Sequence, residues 1–105
     1  MTEAYWLVEL DITDPEAYGL YVAANTLAFA KYGGKFLVRS GRYLVKEGAA
    51  RERHAVIVFK DYETALACYE SPEYARARAL RKGASVADLV IVEGYDGPQP
   101  ASAPA

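Results

Sequence analysis

The chain alternates hydrophobic and polar positions, changes to a helical period, and then repeats the cycle. Ala4 to Ile12 (Ala-Tyr-Trp-Leu-Val-Glu-Leu-Asp-Ile) is rich in aromatic and branched side chains and predicts a strand. Asp14-Pro15-Glu16 then reads as a helix start, with a capping acceptor, proline at the first helical position and an acid in the first turn. Tyr18, Tyr21, Val22, Asn25, Ala28, Phe29 and Tyr32 recur at steps of three and four, which is one face of a helix. Gly33-Gly34 stops that helix, because glycine takes the left-handed cap geometry cheaply. Lys35 to Ser40 predicts a second strand, which can continue through Arg42–Lys46 beyond a break or bulge at Gly41. Glu47-Gly48-Ala49-Ala50 is a turn and Arg53 to Lys60 a third strand. Asp61 can cap a second helix, with Ala65, Leu66 and Tyr69 on its apolar side. Ser71-Pro72-Glu73 repeats the cap-plus-proline signature inside this segment and predicts a kink, or two short helices, at residues 70 to 72. Lys82-Gly83 ends it, and Asp88 to Tyr95 is the last strand.

The two halves mirror one another as strand, helix, strand. The expected fold is therefore α+β and ferredoxin-like: a βαββαβ order with four antiparallel strands and both helices on one face. One domain over residues 1–96 accounts for the pattern. Residues 97–105 carry three prolines and no large apolar side chain, and are expected to form a disordered Pro/Ala-rich tail.

A sheet covered by helices on one side needs apolar residues on that side only. Here both faces are apolar. Trp6, Val8, Leu10 and Ile12 share one face of the first strand; Tyr5 and Leu7 share the other with Glu9 and Asp11. The third and last strands repeat the pattern, with Val56 and Val58 opposing Ala55, Ile57 and Phe59, and Val90 and Val92 opposing Leu89 and Ile91. The expected solution is a homodimer whose sheets pack face to face; the alternative is that loops or the tail cover the second face. Pairing of this kind suggests an enclosed space on the face of Tyr5 and Leu7, where Glu9 is the notable polar group and Arg39, Arg53, His54 and Glu93 are candidates for the same space.

Composition narrows the chemistry without naming a reaction. Fourteen acids against twelve Lys plus Arg give a net charge of −2, which argues against a nucleic-acid binder held by charge. One cysteine, Cys68, and one histidine, His54, exclude an intrachain disulfide and a zinc finger. No metal site or cofactor is implied: His54 sits near a turn without a haem-binding pattern, and no phosphate-binding glycine loop, HExxH or nucleophile elbow occurs. No membrane span or export signal is readable, so the cytoplasm is the expected compartment.

The candidate ligand-binding residues are Asn25, Arg39, Tyr69, Tyr74, Arg78 and Glu93. Arg39 ends the run Phe36-Leu37-Val38, where it can clamp a carboxylate or phosphate through two bonds, or else pair with Glu9 or Glu93. Arg78 follows Tyr74 by four residues and so shares a helical face with it; the neighbouring Arg76, Arg81 and Lys82 read as a solvated basic run. Asn25 stands among apolar residues and is either a satisfied buried amide or a polar group of a pocket. The nine tyrosines read first as packing residues, with a few hydroxyls available to a pocket, and Cys68 as a small buried hydrophobe.

Tyr32-Gly33-Gly34-Lys35-Phe36-Leu37-Val38-Arg39-Ser40-Gly41, Glu47-Gly48, Cys68-Tyr69-Glu70-Ser71-Pro72-Glu73-Tyr74 and Val92-Glu93-Gly94-Tyr95 together resemble the domain-of-unknown-function 1330 family. The resemblance runs from about Ala4 to Gly97. It implies a dimeric α+β barrel, a superfamily that also holds cofactor-independent monooxygenases and haem-dependent chlorite dismutase-like proteins, with substrate placed between helices and sheet. Where family members often carry Arg-Gly-Gly, this chain has Arg39-Ser40-Gly41. The expected function is binding of a small polar or anionic organic molecule in that cavity. The alternatives are a non-enzymatic dimeric structural or protein-interaction module, and a cofactor-free monooxygenase-like or isomerase-like enzyme; no catalytic residue is singled out.

Overall fold

The computed structural model of the protein describes residues 2–102. The first strand, β1 (Ala4–Ile12), leads into helix α1 (Pro15–Tyr32). The Asp14 carboxylate accepts from the Ala17 N–H at 3.2 Å, and Gly33 closes the helix at φ +72°. Gly34 is needed for a different reason: a Cβ there would lie 2.8 Å from the Phe59 ring and 3.1 Å from Ile57. Strands β2 (Lys35–Arg39) and β3 (Arg53–Phe59) follow, then helices α2 (Tyr62–Glu70) and α3 (Pro72–Arg81), and strand β4 (Ser85–Glu93). The expected break between the second and third helices rests on Ser71. Its hydroxyl donates to the Cys68 carbonyl at 2.7 Å, ending α2, and accepts from the Tyr74 N–H at 3.1 Å, starting α3.

The four strands form one antiparallel sheet in the order β2-β3-β1-β4. This is the ferredoxin-like α+β arrangement, with three helices in place of two. Register fixes the faces. Trp6 lies opposite both Ile57 and Ile91, and Val8 opposite Ala55 and Leu89, so these side chains share the helix-covered face. Trp6 is fully buried at its centre, with the rings of Phe29, Phe59, Tyr69 and Tyr74 at 5.0–5.7 Å and its Nε1–H donating to the Ala65 carbonyl at 3.0 Å. Cys68 is buried and free, and burial pushes its thiol up to about 12, which fits its reading as a small hydrophobe.

Three boundaries differ from expectation. β2 does not resume over residues 42–46: Ser40 adopts a left-handed φ of +53° and turns the chain out of the sheet. The irregularity falls between Phe36 and Val38, not at Gly41. β4 begins at Ser85, ahead of the expected Asp88, because the Ala84 carbonyl accepts from Thr13 and Asp14 and locks the start of β4 to the end of β1. Arg51 fastens the far end of the 40–50 loop, donating to Asp11 at 2.9 Å and Asp88 at 2.8 Å, while its N–H donates to Glu9. Pro100–Ser102 form a short 3-10 turn; residues 103–105 of the expected tail lie outside the described residues. No described helix is long and apolar enough to cross a membrane.

Candidate functional site

The cavity lies between the helix-covered face of the sheet and helices α1 and α3. An inner chamber of about 50 Å³ is floored by Trp6, Ile57 and Leu89, with Tyr18, Tyr21 and Asn25 from α1, Tyr74 and Arg81 from α3, and Ser85 from the start of β4. It adjoins a wider vestibule of about 250 Å³, with which it shares Leu10, Tyr18, Asn25, Phe36 and Ala55. Arg39 and Arg53 line the vestibule, and His54, which pairs with Glu9 on the other face, borders its edge. The α1 side chains reach the cavity because positions 18, 21 and 25 lie on one helical face. Tyr74 and Arg81 are separated by two helical turns and also share a face.

Inside the chamber the Tyr21 and Tyr74 hydroxyls are 2.8 Å apart. Burial raises Tyr74 above its ordinary value, and the adjacent Tyr21 adds to the effect. Burial likewise pushes Tyr18 up to about 12, with Tyr21 adding to it and Arg81, Arg53 and Arg39 pulling the other way. Both phenols therefore stay protonated at neutral pH and act as hydrogen-bond donors, not as bases. Asn25 is 6% exposed, and among the described residues no group bonds to its side-chain amide. The Ser85 Oγ is buried without a partner. The Arg81 guanidinium sits over the Tyr21 ring at 5.4 Å, and that of Arg39 over Phe36 at 4.7 Å. No Asp or Glu lines either space.

The structure separates the six sequence candidates into two groups. Asn25, Tyr74 and Arg39 are brought to the cavity. Tyr69, Arg78 and Glu93 line neither space. Arg78 does not join Tyr74 but donates to the Tyr69 hydroxyl at 2.8 Å, lying over its ring at 5.2 Å. Tyr74 turns inward beneath Trp6 while Arg78 points off that face. Glu93 is exposed opposite Ala4, at the other end of β1 from the cavity residue Leu10. The expectation of a single space on the Tyr5–Leu7 face is also corrected. Arg39 and Arg53 lie on the helix-covered side, in register with Ala55 and Leu10, whereas Glu9 and His54 pair on the opposite face. There Glu9 accepts from the Arg51 N–H and lies 3.8 Å from His54. Tyr18, Tyr21, Arg81 and Ser85 are the site residues that sequence reasoning passed over. Arg81 carried a usable signal, since it follows Tyr74 by two turns on the buried stripe that also includes Ala77.

The family model described as "Domain of unknown function (DUF1330)" matches residues 3–95, which is nearly the whole domain. The chain belongs to the DUF1330 family. Among solved structures, this DUF1330 protein is similar to a protein of unknown function from Rhodopseudomonas palustris, with TM-score 0.72, 16% identity, and coverage of 91% of this chain and 85% of that one. It is similar also to SnoaB, a cofactor-independent oxygenase from Streptomyces nogalater, with TM-score 0.59, 14% identity and coverage of 94% and 96%. A third is an ethyl tert-butyl ether d (ethd) family protein from Bacillus halodurans, with TM-score 0.55, 14% identity and coverage of 90% and 100%. At such identities the likeness of the DUF1330 protein to these structures is one of fold. Comparison with curated protein sequences finds no match.

Proposed function

We propose that this DUF1330 protein binds a small anionic organic molecule between sheet and helices, and does so as a homodimer. One observation carries the reading: three arginines line a cavity that has no acidic side chain of its own. Ligand pockets combine apolar walls with a few convergent polar groups, and Trp6, Leu10, Phe36 and Leu89 supply the walls here. Binding is favoured over acid–base catalysis, because burial drives the cavity phenols away from neutrality. The dimer is supported by the uncovered sheet face, where Leu7, Val86, Val90 and Val92 are 40–57% exposed. A free, buried cysteine fits a reducing compartment, and the cytoplasm is the one we assign.

The test is isothermal titration with small mono- and dicarboxylates, from butyrate to glutarate, and with their uncharged amides. Carboxylates are expected to bind, more weakly in high salt and more weakly still to R39Q. Equal binding of acids and amides, or binding of neither, overturns the proposal.

A further inference from the structure

The cationic groups of the cavity stand at two separate places. Arg81 lines the inner chamber and not the vestibule, whereas Arg39 and Arg53 line the vestibule and not the chamber. Tyr18 and Asn25 line both and so mark the passage between them. Tyr18, which lines both spaces, stands between the two poles. Among the described residues, none of the three arginines has a carboxylate within 4.0 Å; the acid-bound cations are Lys31, Arg51 and, if protonated, His54. Arg39 and Arg53 are exposed, but Arg81 is half-buried, and a half-buried guanidinium without a counter-charge gains most from an anion that brings its own hydrogen-bond acceptors.

The hydrogen-bonding inventory of the chamber leans towards donors, since Arg81 has no acceptor while Asn25 and Ser85 have both. The Tyr21 and Tyr74 hydroxyls share one bond, so one O–H hydrogen of the pair remains to be given. Asn25, a residue 6% exposed, contributes an amide without a hydrogen-bond partner among the described residues, and Ser85 a buried hydroxyl without a partner. Arg81 adds donors only. This set calls for an acceptor carrying negative charge. The size of the chamber limits what that acceptor can be. At about 50 Å³ the chamber is the smaller of the two spaces and suits the smaller part of a ligand, a carboxylate-sized group. The vestibule, about five times larger by volume, takes the rest of the ligand.

Building on the binding function proposed above, we infer that the ligand is a small aliphatic dicarboxylate. One carboxylate enters the chamber, against Arg81 and the Tyr21–Tyr74 hydroxyls. The other stays in the vestibule, held by Arg39 and Arg53. The short carbon chain between them lies along Leu10, Phe36 and Ala55, which the two spaces share.

Calorimetry on the full chain tests this with matched pairs: succinate against butyrate, and glutarate against pentanoate. The diacid of each pair is expected to bind at least ~10-fold more tightly, as two charge-assisted contacts exceed one. R81Q is expected to weaken the diacids more than the monoacids and so to erase most of that advantage; R39Q weakens both. Should R81Q fail to fold, S85A serves in its place, with diacid affinity reduced about 2- to 10-fold by loss of one chamber donor. Equal binding of diacids and monoacids overturns the two-headed ligand but leaves anion binding standing. A diacid advantage that survives both R81Q and S85A also overturns it. Absence of binding by every carboxylate overturns the proposed function itself.

Discussion

The hydroxyl oxygens of Tyr21 on α1 and Tyr74 on α3 meet at 2.8 Å within the cavity, and this bond ties together the two helices that form its roof. It is also an edge-to-face aromatic pair, with ring centroids 6.2 Å apart. A buried hydroxyl left without its partner loses its bond and keeps its desolvation cost. Y21F and Y74F are each expected to destabilise the fold by about 1 kcal/mol. The double variant should cost less than the two single losses together, because both remove the same bond. Urea unfolding of the four proteins completes the cycle; strictly additive losses would show that the two hydroxyls do not stabilise each other.

Alkaline pH should reveal the buried phenols. Tyr18 is pushed up to about 12 and Tyr74 is raised as well, both chiefly by burial. For groups whose folded value lies above the unfolded one, the stabilisation is complete below about pH 10, the unfolded value, and is lost as pH rises through the folded values. The fold is therefore expected to hold through pH 9 and to weaken from about pH 10 upward. A phenolate absorbance titration should show at least two tyrosines ionising only as the protein unfolds. Y18F should remove one late-titrating phenol. If all nine tyrosines titrate together before unfolding, the burial of Tyr18 and Tyr74 is wrong.

The elements were legible in the sequence wherever local chemistry decides them. Asp14-Pro15, Asp61 and Ser71-Pro72 mark helix starts because their side chains satisfy free N–H groups within three residues. The faces of β1 followed from simple alternation, which the register bears out. The site was half legible. Asn25 and Arg39 were found because a polar group in an apolar run stands out; Tyr74 was found through its spacing from Arg78, a pairing that Arg78 gives up for Tyr69. Arg81 was hidden in a basic run whose charges looked equivalent, although its two-turn spacing from Tyr74 sets it apart from Arg78. Ser85 was missed because the start of β4 is set by the Ala84 carbonyl and two N–H groups some seventy residues earlier, a long-range contact without a local trace. The same limit explains β2: a left-handed Ser40 is a choice of the tertiary structure, since serine seldom takes that conformation unaided.

Ser71 should be among the most sensitive small residues in the chain. It is 3% exposed, and its single hydroxyl both donates to the Cys68 carbonyl and accepts from the Tyr74 N–H. S71A removes a cap and leaves the buried Tyr74 N–H without a partner, while the Cys68 carbonyl keeps its bond from the Ser71 N–H, so a loss of about 1 to 2 kcal/mol is expected. S71G should recover little, because neither bond returns. Asp14 offers the control: it also caps a helix, but in an exposed setting where water replaces it, and D14A should cost about half as much or less. Thermal melts of the three variants decide the matter. Equal losses for S71A and D14A would mean that burial adds nothing to the Ser71 bonds.

Self-association is expected to depend on the sheet face that the helices leave uncovered. Leu7 and Val90 are opposite one another in the β1–β4 register, and they are 43% and 57% exposed. Both also border an open groove of about 410 Å³ on that face, together with Val56 and His54. Burying such side chains against a second copy returns about 25 cal/mol per Å² of apolar surface removed from water. A charge placed there would have to be desolvated, which opposes pairing. V90D is therefore expected to shift the protein from a dimer to a folded monomer in sedimentation equilibrium, with its circular dichroism unchanged. L80D is the matched control, since Leu80 is also 43% exposed but lies on α3, on the helix layer. If the parent protein sediments at 11.5 kDa, or if L80D and V90D dissociate it alike, the sheet face is not the contact surface.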